Sequence, residues 1–133
     1  MSAEGENMSK MTGRAFRTWL FGEDAVSANA VGASAQLAPW LGEITDRALF
    51  EDIWQGGVLP TRDRSLVTIA ALAALGRHRE LRAHVRAARG LGIADDELIH
   101  AIVQLTFYVG LPPVHAALEV VRDVITDGPG EQV

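Results

Sequence analysis

The sequence predicts an all-α fold, and three observations carry that expectation. No alternation of apolar and polar residues persists long enough for a strand. Alanine and leucine recur at helical spacing from about residue 37 onward. Glycines stand where helices would have to stop, at Gly22, Gly76, Gly90, Gly92 and Gly110. The 133 residues, 48% of them hydrophobic, suffice for one core and fall short of two ordinary domains. Residues 8–127 therefore read as a single domain, with loose, polar or glycine-rich ends over residues 1–7 and 128–133.

Six helices are expected. The first covers about residues 8–21, with Met11, Ala15 and Leu20 on its apolar side; residues 25–34 are small and ambiguous. A second stretch, about 35–54, places Leu37, Trp40, Leu41, Ile44, Ala48 and Phe50 at helical spacing, with a break near Thr45-Asp46, and the loop Gln55-Gly56-Gly57-Val58-Leu59-Pro60 follows. The third, 61–75, opens with Thr61 and Asp63 and stops at Gly76. Its centre, 66–75, has no charge and is expected to be buried on nearly all sides. The fourth, 79–89, is closed by Gly90 and Gly92. The fifth opens at Asp95-Asp96-Glu97, where acids favour the positive end of the helix dipole, and closes at Gly110; the sixth takes Pro112 in its first turn and reaches about residue 126. Residues 98–109 are also almost free of charge. Two helices that are apolar all round exceed what so short a chain hides alone, so a homo-oligomer is expected.

Charge and composition exclude several classes of function. A formal net charge of −5 gives no general basic field for nucleic acid, and Arg77, Arg79, Arg82, Arg86 and Arg89 read as the solvated side of one helix. The absence of cysteine removes disulfides, thiolate metal ligands and thiol nucleophiles together. No apolar run approaches the roughly 20 residues of a membrane span, and residues 1–10 lack the apolar segment of a signal peptide, so a cytoplasmic location without membrane partners is expected.

The histidines are the candidates for chemistry. At about 100° per residue, Leu81, His84, Val85 and Ala88 share one side of the fourth helix, so His84 faces inward. Such a histidine serves either as a hydrogen-bonded core residue or as an acid/base group. Glu80, one turn earlier, is placed to hold one imidazole nitrogen and leave the other for a substrate. His100, Gln104 and Phe107 form a stripe on the fifth helix with Tyr108 at its border, facing a polar cavity, a subunit boundary or solvent. His115 lies just inside the sixth helix, His78 is expected to be exposed, and Trp54 walls a pocket or anchors a core. With no His-x-x-x-His pair or acidic ligand at metal spacing, no metal is expected. Phosphate loops and a Ser/His/Asp setting are absent as well.

Several segments together resemble the carboxymuconolactone decarboxylase family over about residues 16–125. They are Asp52-Ile53-Trp54, Leu59-Pro60, Arg64-Ser65-Leu66-Val67-Thr68-Ile69-Ala70, Glu80-Leu81, His84-Val85-Arg86-Ala87-Ala88 and Tyr108-x-Gly110-x-Pro112. The resemblance implies an all-helical fold shared with the alkylhydroperoxidase D-like proteins, assembly as a trimer or hexamer, and a pocket near subunit contacts. In the alkylhydroperoxidase D-like branch, cysteines stand at the positions of Arg77 and Glu80. The decarboxylase branch has the glutamate and histidine found here at Glu80 and His84. It implies a cofactor-independent loss of carbon dioxide from an unsaturated lactone acid. On that footing His84 is expected to act as general acid/base with Glu80 orienting it, and Trp54, His100, Gln104, Tyr108 and His115 to bind the substrate, while Arg64 either binds an anionic group of it or makes a structural ion pair. Where the family has arginine and proline after the tryptophan, this chain has Gly56 and Gly57. His100 and His115 replace a glutamate and an asparagine, so a substrate other than the usual one is expected. A cyclase or isomerase of secondary metabolism, or a non-catalytic small-molecule binding protein, are the alternatives.

Overall fold

A computed structural model describes residues 10–128, which divide into two compact units, one ending at Val58 and one beginning at Leu59. The expected loose ends at 1–7 and 129–133 lie outside the described residues.

The first unit contains α1 (Gly13–Phe21), α2 (Glu23–Ala30), α3 (Ala33–Leu37), α4 (Pro39–Thr45) and a π-helical segment, Asp46–Ile53. α1 begins where Thr12 Oγ1 accepts a hydrogen bond from the Ala15 N–H at 3.2 Å, so the start is later than the expected residue 8. α1 packs on the π-helical segment. Gly13 makes the approach feasible, since a Cβ there would lie 1.7 Å from the Asp46 carbonyl oxygen. The Arg17 guanidinium reaches Asp46 through two contacts, Nε to Oδ1 at 2.7 Å and Nη2 to Oδ2 at 3.2 Å. Gln55 fastens the lead-in to α1, accepting from the Met11 N–H at 2.8 Å and donating to the Met11 carbonyl at 2.9 Å. Phe16, Leu20, Phe50 and Trp54 are buried in this unit.

The expected helix over 35–54 is corrected. It is divided among α3, α4 and the π-helical segment, and the break expected at Thr45-Asp46 is where α hydrogen bonding gives way to π. The Trp54 N–H donates to the Leu49 carbonyl five residues back, at 2.8 Å, which is the wider π register.

The second unit contains α5 (Thr61–Leu75), α6 (His78–Gly90), α7 (Asp95–Val103), α8 (Thr106–Val109) and α9 (Leu111–Asp127). Its core is built from Ile69 and Ala73 of α5, Leu81, Val85 and Ala88 of α6, Leu98 and Ile102 of α7, and Val114, Ala117, Val121 and Val124 of α9, with Ile93 between α6 and α7. α5 stops at Gly76, which takes the left-handed conformation (φ +71°) and donates its N–H to the Ala73 carbonyl. Three arginines of α6 are matched to carboxylates. Arg82 pairs with Asp123 at 3.5 Å and Arg86 with Asp127 at 3.1 Å, both on α9, while Arg89 pairs with Asp95 of α7 at 2.9 Å.

The count of six helices is therefore corrected as well. The small residues around 23–30 are helical, and the expected fifth helix is interrupted at Gln104-Leu105. There the Leu105 N–H turns back to the Ile102 carbonyl, and Thr106 Oγ1 donates to the Val103 carbonyl at 2.7 Å, tightening the chain before α8. Nor is α5 buried on nearly all sides within the chain, because Val67 and Leu75 are 61% and 68% exposed. Among the described residues the fold is all-helical, and no helix is long and apolar enough to cross a membrane.

Candidate active site

The two residues expected to carry acid/base chemistry both lie on α6. Leu81, Val85 and Ala88 are buried in the core of the second unit, and their spacing carries His84 to the margin of that core, where it is half-buried. Glu80, one helical turn earlier, is exposed. Burial pushes the His84 imidazole from its ordinary 6.5 down to about 4, and the Glu80 carboxylate acts in the opposite direction. Desolvation thus outweighs the attraction of the neighbouring charge, and the ring is neutral at pH 7. A neutral imidazole offers one N–H donor and one acceptor nitrogen, the form required of a base or of a donor to a developing oxyanion.

Arg64 stands in the first turns of α5. It is half-buried, and its Nε donates to the Leu59 carbonyl at 3.0 Å. His100 and Gln104 at the end of α7, Tyr108 on α8 and His115 on α9 are all exposed. Val103, Leu111 and Phe107 in the same stretch of chain are exposed as well, the last to 97%. Of the three settings expected for the stripe of His100, Gln104 and Phe107, the single chain therefore provides an open surface. His78 is exposed, as expected. Trp54 belongs to the first unit, 5% exposed with its ring centroid 6.1 Å from that of Phe16, the setting of a core anchor.

Ser65 was not singled out by its residue type. It shares the buried side of α5 with Ile69 and Ala73, is 1% exposed, and its hydroxyl has no hydrogen-bond partner among the described residues. Its spacing to Ile69 and Ala73 was the available signal. No group of three His, Asp or Glu side chains able to hold a metal ion converges among the described residues.

Residues 39–123 match the carboxymuconolactone decarboxylase family. A 4-carboxymuconolactone decarboxylase from Acinetobacter baylyi (strain ATCC 33305 / BD413 / ADP1) is 43% identical over 81 residues, 61% of this chain and 60% of that protein. The chain thus spans about 60% of the length of the curated relative it matches. The family match runs from α4 into α9 and covers the positions of both Glu80 and His84, so the helical pattern and the overall similarity agree. This chain belongs to the carboxymuconolactone decarboxylase family.

Proposed function

We propose that this protein is a decarboxylase-like carbon–carbon lyase acting on a carboxylated unsaturated lactone or a related unsaturated carbonyl acid. The observation that carries the reading is His84, half-buried and held neutral beside Glu80, in a chain of this family. In such a substrate the bond to the departing carboxylate breaks, carbon dioxide leaves, and the electron pair passes through the adjacent double bond to the lactone carbonyl oxygen. The resulting dienolate needs a donor at that oxygen and one proton at carbon. The neutral imidazole of His84 supplies the N–H, and the charge of an anionic substrate adds to that of Glu80 to raise the ring's proton affinity, so the pair can take a solvent proton and deliver it. Dithiol reduction of a hydroperoxide has no sulfur nucleophile to use in a chain without cysteine.

The working form in this reading is a homo-oligomer. Val103, Phe107, Tyr108 and Leu111 expose large apolar area in the second unit, as do Trp40, Leu41 and Ile44 in the first. Covering a fully exposed side chain of this size contributes about 1.5–3 kcal/mol. A partner on the α7–α8 surface would also turn His100, Gln104 and His115 from solvent-facing groups into polar lining of an enclosed site.

The test is incubation of the full chain with a series of unsaturated lactone and carbonyl acids, 4-carboxymuconolactone among them, each labelled at the carboxyl that would be lost. Release of labelled carbon dioxide is expected, with His84→Gln lowering kcat by about 10²–10⁴-fold. A product of unchanged mass would point to isomerisation or cyclisation. Binding without any product would identify a binding protein, and full activity in the His84→Gln enzyme would remove His84 from the chemistry.

A further inference from the structure

Matching each arginine of the second unit with its carboxylate leaves one half-buried cation over. Arg62 is paired with Glu97 and Asp63, Arg82 and Arg122 with Asp123, Arg86 with Asp127, and Arg89 with Asp95. Arg77 and Arg79 have no ion pair among the described residues, but both are exposed, and water solvates them. Arg64 likewise meets no carboxylate among the described residues, but unlike those two it is partly buried.

Its guanidinium is also oriented. With Nε committed to the Leu59 carbonyl at 3.0 Å, the plane of the group is fixed by backbone at one edge, and the edge formed by the two Nη atoms stays available. That edge presents two parallel N–H donors, the fork that matches the two oxygens of a carboxylate. The anchored Nε reduces the side-chain freedom lost when such a pair forms.

We propose that Arg64 is a carboxylate-binding residue, its Nη edge holding a carboxylate of the small-molecule substrate. Recognition of the carboxylate stands on the surroundings of the arginine; its use in turnover rests on the decarboxylase-like reading above. In that reaction Arg64 would hold a carboxylate that the product keeps. A departing carboxylate loses its charge as carbon dioxide forms, so a clamp on it would favour the ground state over the transition state. The residue is thus a binding and positioning group, separate from the proton chemistry of His84, and it implies a substrate with at least two carboxylates.

Two measurements test this, and the first needs no turnover. The Nε–Hε resonance of Arg64, protected by Leu59 and identified by its disappearance in Arg64→Gln, is followed by NMR as succinate is added. A saturable shift is expected, half-complete at a concentration at least about tenfold below that needed to move Arg77 or Arg79. A shift no earlier than theirs overturns the proposal. An equal response to sulfate, meaning an adventitious ion only, also overturns it. The second measurement is kinetic, with the acid of the labelled series above that is turned over fastest. Arg64→Gln should raise KM by about tenfold or more while kcat changes less than about threefold, and Arg64→Lys should recover part of the loss. An unchanged KM, or a fall confined to kcat, contradicts the positioning role. If the wild-type chain turns over no acid of that series, the decarboxylase reading fails while the succinate titration still decides the carboxylate site.

Discussion

His84 is held in the form that burial favours. Its imidazole, at 6.5 when free and about 4 in the fold, binds its proton more readily in the unfolded chain than in the native one. The stability contributed by the neutral ring is fully present above pH 6.5 and declines as pH falls through that window towards 4, because protonation there favours unfolding. The size of the effect is at most on the order of 3 kcal/mol, from the width of the window at about 1.4 kcal/mol per pH unit, and less to the extent that water reaches the ring. Urea midpoints of the wild-type chain and of His84→Gln, measured from pH 4 to pH 8, should therefore converge or cross at the acid end after a constant offset above pH 6.5. Parallel profiles would show that the ring is solvated in the fold. The placement of His84 beside the buried side of α6, one turn after Glu80, was legible from the 3.6-residue period alone. The isolated hydroxyl of Ser65 and the carboxylate partners of the α6 arginines were not, since both depend on what neighbouring helices bring to the same point.

Single elements differ in how far their boundaries can be read. The ends of α5 are written in its sequence: Pro60 lies just before the first turn, and Gly76 supplies a left-handed stop. The π-helical segment, Asp46–Ile53, has no comparable signature. Its apolar spacing fits an α-helix nearly as well, and what distinguishes it is a hydrogen-bond register fixed by packing against α1. Gly13 shows how tight that packing is. Gly13→Ala would place a methyl group against the backbone of Asp46, with no flexible side chain to give way, and should destabilise the first unit by about 1–3 kcal/mol or more. Gly76→Ala meets nothing within 4 Å and should lose only the preference for a left-handed glycine, about 1 kcal/mol. Thermal denaturation of the two variants tests the order, and a Gly13→Ala protein as stable as Gly76→Ala would mean that the α1 contact is looser than described.

For the whole molecule, the surplus of apolar surface is the dominant fact. The sequence made it legible as two nearly charge-free helices, but not which sides would be left uncovered; the structure assigns much of it to Phe107 and Tyr108, 97% and 80% exposed, with Val103 and Leu111. Large apolar side chains exposed at this density along one stretch of chain are a signature of an interaction surface. Sedimentation velocity should show an oligomer for the wild-type chain and a smaller species for Phe107→Glu, with helical content unchanged in the far-ultraviolet. A monomer in both cases would remove this face as an interface. The same face has a consequence for anyone assaying the protein. If His100, Gln104 and His115 are enclosed only when a second copy covers α7 and α8, dilution itself acts as an inhibitor. Specific activity should then fall as protein concentration drops through the dissociation constant of the assembly, and added substrate should slow that loss by mass action.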